Sequence, residues 1–282
     1  MATRPADSRR AARKHVLRTW GDGHATLKWV WTVVLAGAVI QACYVVTDVA
    51  TCQIDLVIRA IYPVSAGSKD KCVLINAPAI WGNYIVFMLT FFRFYVGDAR
   101  LLDLRYVELP EYINSRIEDG GVEYEDDFIN ALTAFRRSAQ FFDFATLAWQ
   151  ATLFIFLARN IDNVFVFFFL YFALATINVV WLQVASRLNP NATGDIWRKF
   201  VSDFQVLENL TGSGAVRLWV RNNLLCALAM IGCAVLLVGN VWSEAAFRLA
   251  FIAVMLTNCL VDIALARRFY FPEPDIRYKA IR

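Results

Sequence analysis

Polar side chains occur inside several of the most apolar stretches of this 282-residue sequence, at spacings that place them on shared helix faces. Asn83, Thr90 and Arg93 follow one another at intervals of seven and three residues, and Asn258 and Asp262 are one helical turn apart. A polar group is costly in lipid, so such groups usually face a bundle interior or a water-filled pathway. The five residues therefore predict either a pore or gate, or interhelical hydrogen bonds that fix packing.

Arg93 and Asp262 are the two residues that packing explains least well. Each is expected near the cytoplasmic end of its helix, so the two could meet as an ion pair within one chain or between chains. Helical rise places Arg93 about 24 Å along its helix. A pore mouth, a partner helix and lipid headgroups therefore all stay open for its guanidinium, the last by snorkelling. The tripeptide Arg-Phe-Tyr that begins at Arg93 occurs again at Arg268.

The composition predicts that these residues belong to membrane-spanning helices. The chain is 59% hydrophobic and 18% charged, whereas soluble domains are roughly one quarter charged. A span needs about 20 apolar residues, and six stretches meet or approach that length: 29–46, 77–95, 144–158, 163–186, 224–242 and 249–266. The predicted fold class is thus an all-α polytopic membrane protein with six transmembrane helices and a small cytoplasmic helical layer.

The distribution of basic residues predicts the orientation of these helices. Of the 28 Lys and Arg residues, 23 lie in the two tails and in the second and fourth loops. Basic residues concentrate on the cytoplasmic side, so both termini are expected inside a plasma (cell inner) membrane. The predicted segments are a basic cytoplasmic tail (1–28), helices 1 and 2 with an outer loop (29–96), a cytoplasmic helical segment (97–140), helices 3 and 4 (141–186), a cytoplasmic amphipathic segment (187–221), helices 5 and 6 (222–266) and a cytoplasmic tail (267–282).

Two of the six cysteines lie in the long first outer loop. Cys52 and Cys72 would face an oxidising compartment, which predicts a disulfide between them. The other four lie inside predicted spans, where a thiol usually packs as a small apolar group. The cysteine spacing matches no zinc motif, so no metal site is expected.

Catalysis has little support in the sequence. Both histidines, His15 and His24, precede the first span, which excludes most histidine-dependent triads and proton relays. Neither standard phosphate-binding glycine loop occurs. We therefore expect that the protein is not an enzyme and uses no cofactor.

A short motif at the end of the second span resembles a group of bacterial membrane proteins. The stretch 91–98, Phe-Phe-Arg-Phe-Tyr-Val-Gly-Asp, followed by Leu102 and Asp103, is similar to Arg-Phe-Tyr-x-Gly exits of bacterial multi-span proteins. Some of these look like the membrane effectors of nucleotide-signalled anti-phage defence systems. The resemblance covers about fifteen residues and implies a pore that a signal opens or closes, without supplying site residues. Gly97 and Asp98 are interpreted as a hinge between the membrane helix and the cytoplasmic layer.

Three functions follow from these observations. The first is a homo-oligomeric channel lined by Asn83, Thr90, Arg93, Asn258 and Asp262, favouring anions and gated from the cytoplasm. A nucleotide or oligonucleotide signal, or a regulatory protein, would bind the basic tail, for which the candidates are Arg10, Arg13, Lys14 and Arg18. The second is a secondary transporter, which the lack of proline at any span centre disfavours. The third is a structural or receptor membrane protein without transport.

Overall fold

The structure is a computed structural model that describes residues 25–51, 77–108, 125–187 and 213–271. These residues form α1 (Ala25–Thr51), α2 (Ala77–Asp103), α3 (Glu125–Arg159), α4 (Val164–Arg187), α5 (Ser213–Val238), α6 (Glu244–Leu265) and the short α7 (Arg267–Tyr270). A π-helical turn, Leu104–Glu108, continues α2. No strand occurs in these four ranges, so the predicted all-α class is confirmed for them.

Five of the described helices are long and apolar enough to cross a membrane. They cover Ala25–Thr51, Gln140–Arg159, Val164–Val184, Gly214–Val238 and Glu244–Leu265, and they coincide with the first, third, fourth, fifth and sixth predicted spans. The second predicted span falls on α2, which has 27 residues but is not one of the five. The chain is therefore a helical membrane protein in which α2 differs from the other long helices.

The predicted hinge at Gly97 and Asp98 is wrong. α2 runs through both residues without a break and ends at Asp103. The glycine serves a different purpose, because a Cβ at Gly97 would lie 1.9 Å from the ring of Trp219. Only a residue without a side chain lets the indole of α5 pack directly on the backbone of α2.

Only part of the predicted cytoplasmic helical segment is described, and those parts extend the long helices. Residues 97–108 continue α2 and its π-helical turn, and residues 125–140 belong to α3. The helical spacing of Phe128, Ile129 and Leu132 agrees with their place in α3. Of the predicted amphipathic segment 187–221, residues 188–212 lie outside the described residues and residues 213–221 belong to α5. Cys52, Cys72 and the four basic tail residues proposed to bind a ligand also lie outside the described residues.

α2 occupies the centre of the bundle. It packs against α3, α4, α6 and α7, while α3, α4 and α5 each pack on the next helix in the sequence. α1 lies on α2 and α3, where the ring centroids of Trp31 and Phe154 are 6.5 Å apart. The end at which α2, α4 and α6 finish is termed the lower end, and it is the end predicted to be cytoplasmic. There Lys28 of α1 forms a 3.0 Å ion pair with Asp103 of α2.

Local side chains fix the two short connections at the upper end. The Asn163 side chain accepts a 3.2 Å hydrogen bond from the backbone N–H of Val166 at the start of α4. Ser243 does the same for Ala246 in α6, as is usual for Asn and Ser at helix N-termini. After α5, Asn240 adopts a φ of 57°, a left-handed conformation that asparagine tolerates better than most residues.

The two halves of the core differ in chemistry. In the upper half, α4 and α6 form a phenylalanine layer that consists of Phe167, Phe168, Phe247 and Phe251. The ring centroids of Phe168 and Phe251 are 5.1 Å apart, and those of Phe168 and Phe247 are 5.3 Å apart. The lower half instead contains most of the buried polar side chains. The aromatic layer stabilises the bundle by apolar burial, and the polar half is the candidate site.

Candidate functional site

The lower half of the bundle encloses Arg93, which is 1% exposed. Its Nε donates a 2.6 Å hydrogen bond to Oδ2 of Asp262 on α6, and its Nη2 donates one of 2.6 Å to Oδ1 of Asn223 on α5. The guanidinium carbon lies 5.5 Å from the ring centroid of Phe94. The predicted ion pair with Asp262 is thus confirmed, within one chain. Of the three positions considered for Arg93, the structure has it against partner helices.

Hydrogen bonds carry this contact to α4 and α7. Asn223 Nδ2 donates to Oδ1 of Asn178 at 2.6 Å. The Tyr270 hydroxyl donates to Asp262 Oδ2 and accepts a 2.5 Å hydrogen bond from the indole N–H of Trp219. We term this set the arginine network, which comprises Arg93, Asn178, Asn223, Asp262 and Tyr270. It joins five helices through groups that would each be costly to bury without partners.

Two further carboxyl groups lie at the lower end, and their surroundings differ. Asp143 on α3 accepts hydrogen bonds from the Tyr106 hydroxyl at 2.5 Å and from the Trp181 indole at 2.9 Å. Asp98 on α2 is fully buried, and neither of its oxygens has a hydrogen-bond partner among the described residues. Asp98 follows the predicted second span, which ends at Tyr95. Burial raises the pKa of its carboxyl well above the ordinary value; Arg93 opposes this shift and Asp143 adds to it.

The remaining candidates divide between the middle and the upper end. Thr90 Oγ1 lies 3.5 Å from the Tyr171 hydroxyl, and Asn258 Nδ2 lies 3.4 Å from the same oxygen. Asn83 stands apart at the upper end, where its Nδ2 donates a 2.8 Å hydrogen bond to the carbonyl of Ile161 between α3 and α4. The structure therefore brings Thr90, Arg93, Asn258 and Asp262 together and gives Asn83 a separate contact.

Comparison of the chain with models of known families, with curated proteins and with solved structures found no match. The interpretation of the site therefore rests on its own geometry.

All five candidate pore residues lie inside a single chain. Their exposed fractions are between 0 and 4%, whereas a pore shared between subunits would place them on the surface of each subunit. A pathway that uses these residues would have to pass through the bundle itself. Oligomer formation and the pore role stay predictions.

Sequence reasoning missed three polar groups at the lower end: Asp98, Asp143 and Tyr270. Asp98 was assigned to a hinge, and the third span was predicted to begin one residue after Asp143. A signal for Asp143 does exist, since Asp143, Thr146 and Gln150 recur at intervals of three and four residues on one helix face. All three of these are buried in the structure. No comparable spacing indicates Asp98 or Tyr270.

Several fully buried side chains in the candidate site keep polar atoms without a protein partner among the described residues. These atoms are both oxygens of Asp98, both amide atoms of Gln150, Nη1 of Arg93, Oδ1 of Asn258 and Oδ1 of Asp262. Buried polar groups are nearly always paired in folded proteins. These atoms therefore offer hydrogen-bonding positions that the packing of the described helices does not use. The described residues contain no group of three or more His, Cys, Asp or Glu side chains suited to a metal ion.

Tyr270→Phe tests the link between α7 and the arginine network. Burial raises the pKa of the Tyr270 hydroxyl, so the group keeps its proton and donates a hydrogen bond to Asp262. We expect the substitution to lower the free energy of unfolding by about 1–3 kcal/mol, because the hydroxyl donates one hydrogen bond to Asp262 and accepts another from Trp219. Thermal unfolding in detergent measures the change. Tyr84→Phe is the control, because among the described residues the Tyr84 hydroxyl has the Cys43 thiol, at 3.6 Å, as its hydrogen-bond partner; equal losses in the two variants would contradict the prediction.

Proposed function

We propose that the protein is a membrane transport protein whose pathway runs through the interior of one chain and carries protons or small cations. The predicted topology, with α2 as a sixth span and both termini in the cytoplasm, belongs to this proposal. The pathway enters from the lower end, passes Asp98 and the arginine network, and is closed in the upper half by the phenylalanine layer.

The position of polar residues along α2 supports such a pathway. Asn83, Thr90, Arg93 and Asp98 are all buried, and Asn83 and Asp98 are separated by about 22 Å of helical rise. The first three residues lie in the predicted second span, and Asp98 lies just beyond its cytoplasmic end, so the polar positions lead from within the roughly 30 Å hydrocarbon core to the lower end of the bundle. A central helix with polar residues at these positions can supply part of a polar route across a membrane.

The buried charges support cations over anions. Among the described residues, the buried charged side chains are Arg93, Asp98, Asp143 and Asp262, which amount to three carboxyl groups and one guanidinium. Arg93 is already neutralised by Asp262. The remaining carboxyl groups, those of Asp98 and Asp143, can accept a proton or, when ionised, attract a cation, and neither attracts an anion. The proposal therefore departs from the anion preference predicted from sequence, in which Arg93 lies at the inner mouth of a pore and Arg59, Lys69 and Lys71 lie outside.

The single observation that carries the proposal is the set of unpartnered polar atoms on fully buried side chains. A network that only fixes helix packing would be expected to satisfy its members, because an unpaired polar group in a low dielectric is costly. Most hydrogen-bonding atoms of the arginine network are paired, with Nη1 of Arg93 and Oδ1 of Asp262 as the exceptions among the described residues, and this pairing favours that structural role. The unpaired atoms of Asp98 and Gln150 do not serve packing, and they favour transport.

Ion flux into liposomes tests the proposal. Purified full-length protein is reconstituted, and the fluxes of protons, sodium, potassium and chloride are measured separately. We expect protein-dependent proton or cation flux, with chloride flux no greater than in empty liposomes. A chloride flux that needs the protein would support the predicted anion channel. No flux of any ion would favour the structural or receptor alternative.

The phenylalanine layer should act as the closed gate of this pathway. Phe251 is fully buried, so Phe251→Ala removes a ring from the layer, and we expect the cation flux to rise several-fold. The matched control is Phe156→Ala on α3, where the side chain is 47% exposed and faces outward. If Phe251→Ala and Phe156→Ala give the same cation flux, the phenylalanine layer is not the gate.

Oligomer formation and gating by a nucleotide or oligonucleotide signal stay separate predictions. Arg10, Arg13, Lys14 and Arg18 lie outside the described residues, as does the outer loop that carries Cys52 and Cys72. The resemblance to anti-phage effectors rests on the motif around Arg93. In the structure that motif contributes a buried ion pair to the bundle.

A further inference from the structure

Among the described residues, the carboxyl group of Asp98 differs from the other buried carboxyl groups in having no hydrogen-bond partner. Asp262 is paired with Arg93, and Asp143 accepts hydrogen bonds from a phenol and an indole. Both oxygens of Asp98 are buried and lack a hydrogen-bond donor among the described residues. An ionised carboxylate without donors is strongly disfavoured in an apolar interior, and such a group instead becomes neutral.

We propose that Asp98 is the proton-binding site of this protein and that its charge is coupled to the Arg93–Asp262 ion pair. The inference rests on the proposed transport function for its physiological meaning, since a proton held at Asp98 would be the transported ion or the coupling ion. The proton-binding itself rests on the buried side chains alone.

A proton fits this site better than a metal cation. Ca²⁺ takes six to eight oxygen ligands and Mg²⁺ takes six, whereas a proton needs only one carboxyl oxygen. Within the part of the chain that the structure describes, Asp143 is the carboxyl group that acts on the charge of Asp98, and it already accepts hydrogen bonds on both oxygens.

The coupling to Arg93 follows from the groups that face Asp98. On its own helix there is Arg93, whose Nη1 is buried without a partner among the described residues. Asp143 of α3 also acts on the charge of Asp98. Behind these two groups, Tyr106 of the π-helical turn is bound to Asp143, Asp262 of α6 is bound to Arg93, and Tyr270 of α7 is bound to Asp262. Among these groups only the guanidinium is positive. When Asp98 loses its proton, the unpaired Nη1 is the donor among them that can compensate the charge, so Arg93 divides its charge between Asp98 and Asp262.

When Arg93 also compensates the charge of Asp98, its ion pair with Asp262 becomes weaker. The contact between α2 and α6 to which this ion pair contributes is therefore weaker than when Asp98 is neutral. The proton balance is simple, because the O–H bond of the Asp98 acid breaks and the proton leaves to water. The negative charge left on Asp98 is met by the guanidinium. A change in proton occupancy at one carboxyl group is thereby transmitted to the contact between two helices.

The sign of the pH dependence follows from linkage. A carboxyl group whose pKa is raised in the folded state contributes stability that is complete below its unfolded pKa, near 3.9. That contribution is lost as pH rises through the folded pKa. The unfolding temperature of the protein should therefore fall as the pH rises from the unfolded pKa of Asp98 to its raised pKa in the folded protein.

The decisive experiment compares three proteins in detergent across this pH range. Asp98→Asn is isosteric with the neutral acid and cannot ionise, so we expect the fall in unfolding temperature with pH to be much smaller. Asp103→Asn removes the same charge five residues further along α2, where the side chain is 29% exposed and paired with Lys28. This control should keep the wild-type dependence. If Asp98→Asn keeps the full dependence, the proton-binding site is refuted.

An infrared measurement gives an independent readout and needs no stable variant. The carbonyl stretch of a protonated carboxylic acid should be present in the wild-type protein above the ordinary pKa of aspartate and disappear as pH rises. Its absence at mildly acidic pH would overturn the inference. If both readouts succeed but no ion flux is found, the transport proposal fails and the proton site stands. If flux is found but both readouts fail, the transport proposal stands and Asp98 is not its proton site.

Discussion

Replacing Arg93 with methionine should destabilise the protein by about 3–5 kcal/mol, the cost of leaving one partner of a buried ion pair uncompensated. The guanidinium is the donor for both Asp262 and Asn223, so its loss leaves a carboxylate and an amide oxygen buried with fewer partners. Methionine fills a similar volume, which separates the loss of charge from the loss of packing. Thermal or denaturant-induced unfolding in detergent measures the effect.

A double replacement sharpens this prediction. Arg93→Met combined with Asp262→Leu removes both charges, and we expect it to recover most of the lost stability, because a buried ion pair can often be exchanged for apolar residues at little cost. Arg248→Met is the control, since Arg248 pairs with Glu244 on the outside of α6 and such exposed pairs contribute little. A double variant as unstable as Arg93→Met would show that the network, rather than the charge balance, maintains the fold.

The second large effect is expected at Gly97. A Cβ at this position would lie 1.9 and 2.0 Å from two carbons of the Trp219 ring and 3.1 Å from a carbon of Tyr270. Because the ring is rigid and buried, Gly97→Ala must push α5 away from α2, and we expect a loss of about 1–3 kcal/mol, as for other overpacked cores. The indole N–H bond to Tyr270 would weaken at the same time. Unfolding in detergent and the tryptophan emission spectrum report the two changes.

Two other helical glycines supply controls for Gly97. A Cβ on Gly37 or Gly232 would meet nothing within 4 Å, so alanine there should be neutral or stabilising by up to about 1 kcal/mol through helix propensity. Gly82→Ala is intermediate, since its Cβ would meet only the flexible end of Ile252, at 2.6 Å. Equal effects at Gly97 and Gly232 would show that the approach of Trp219 does not limit this position.

The helices were predictable from the sequence because apolar length and helical spacing are local properties. The pairing of Arg93 with Asp262 was also predictable, since two opposite charges in apolar helices have few other ways to be buried. The hinge at Gly97 was wrong for a clear reason. Glycine in a helix weakens it unless another element needs the space, and that element, Trp219, is 122 residues away along the sequence. No local pattern shows such a contact.

The repeated Arg-Phe-Tyr tripeptide shows the same limit. In the first copy Arg93 is buried, whereas in the second copy Arg268 is exposed and Tyr270 is buried. The first copy lies in the middle of the bundle, where only the guanidinium can reach both α5 and α6. The second follows the end of α6, where the tyrosine turns back towards Asp262. The arginine is thus buried in one copy and exposed in the other. The reason is that α2 continues for ten residues beyond Arg93, whereas α6 ends at Leu265, before Arg268.

The ion pair between α2 and α6 has a consequence for the order in which the protein is made. Asp262 follows Arg93 by 169 residues, and α2 is the long helix that does not qualify as a span on apolar length alone. Arg93 is therefore synthesised well before its counter-charge. The ribosome must complete α6 before α2 can be neutralised, so the last long helix closes the bundle. A chain that stops before Asp262 would leave Arg93 buried without its counter-charge, with the neutral Asn223 as its partner, and we expect membrane quality control to recognise such a chain.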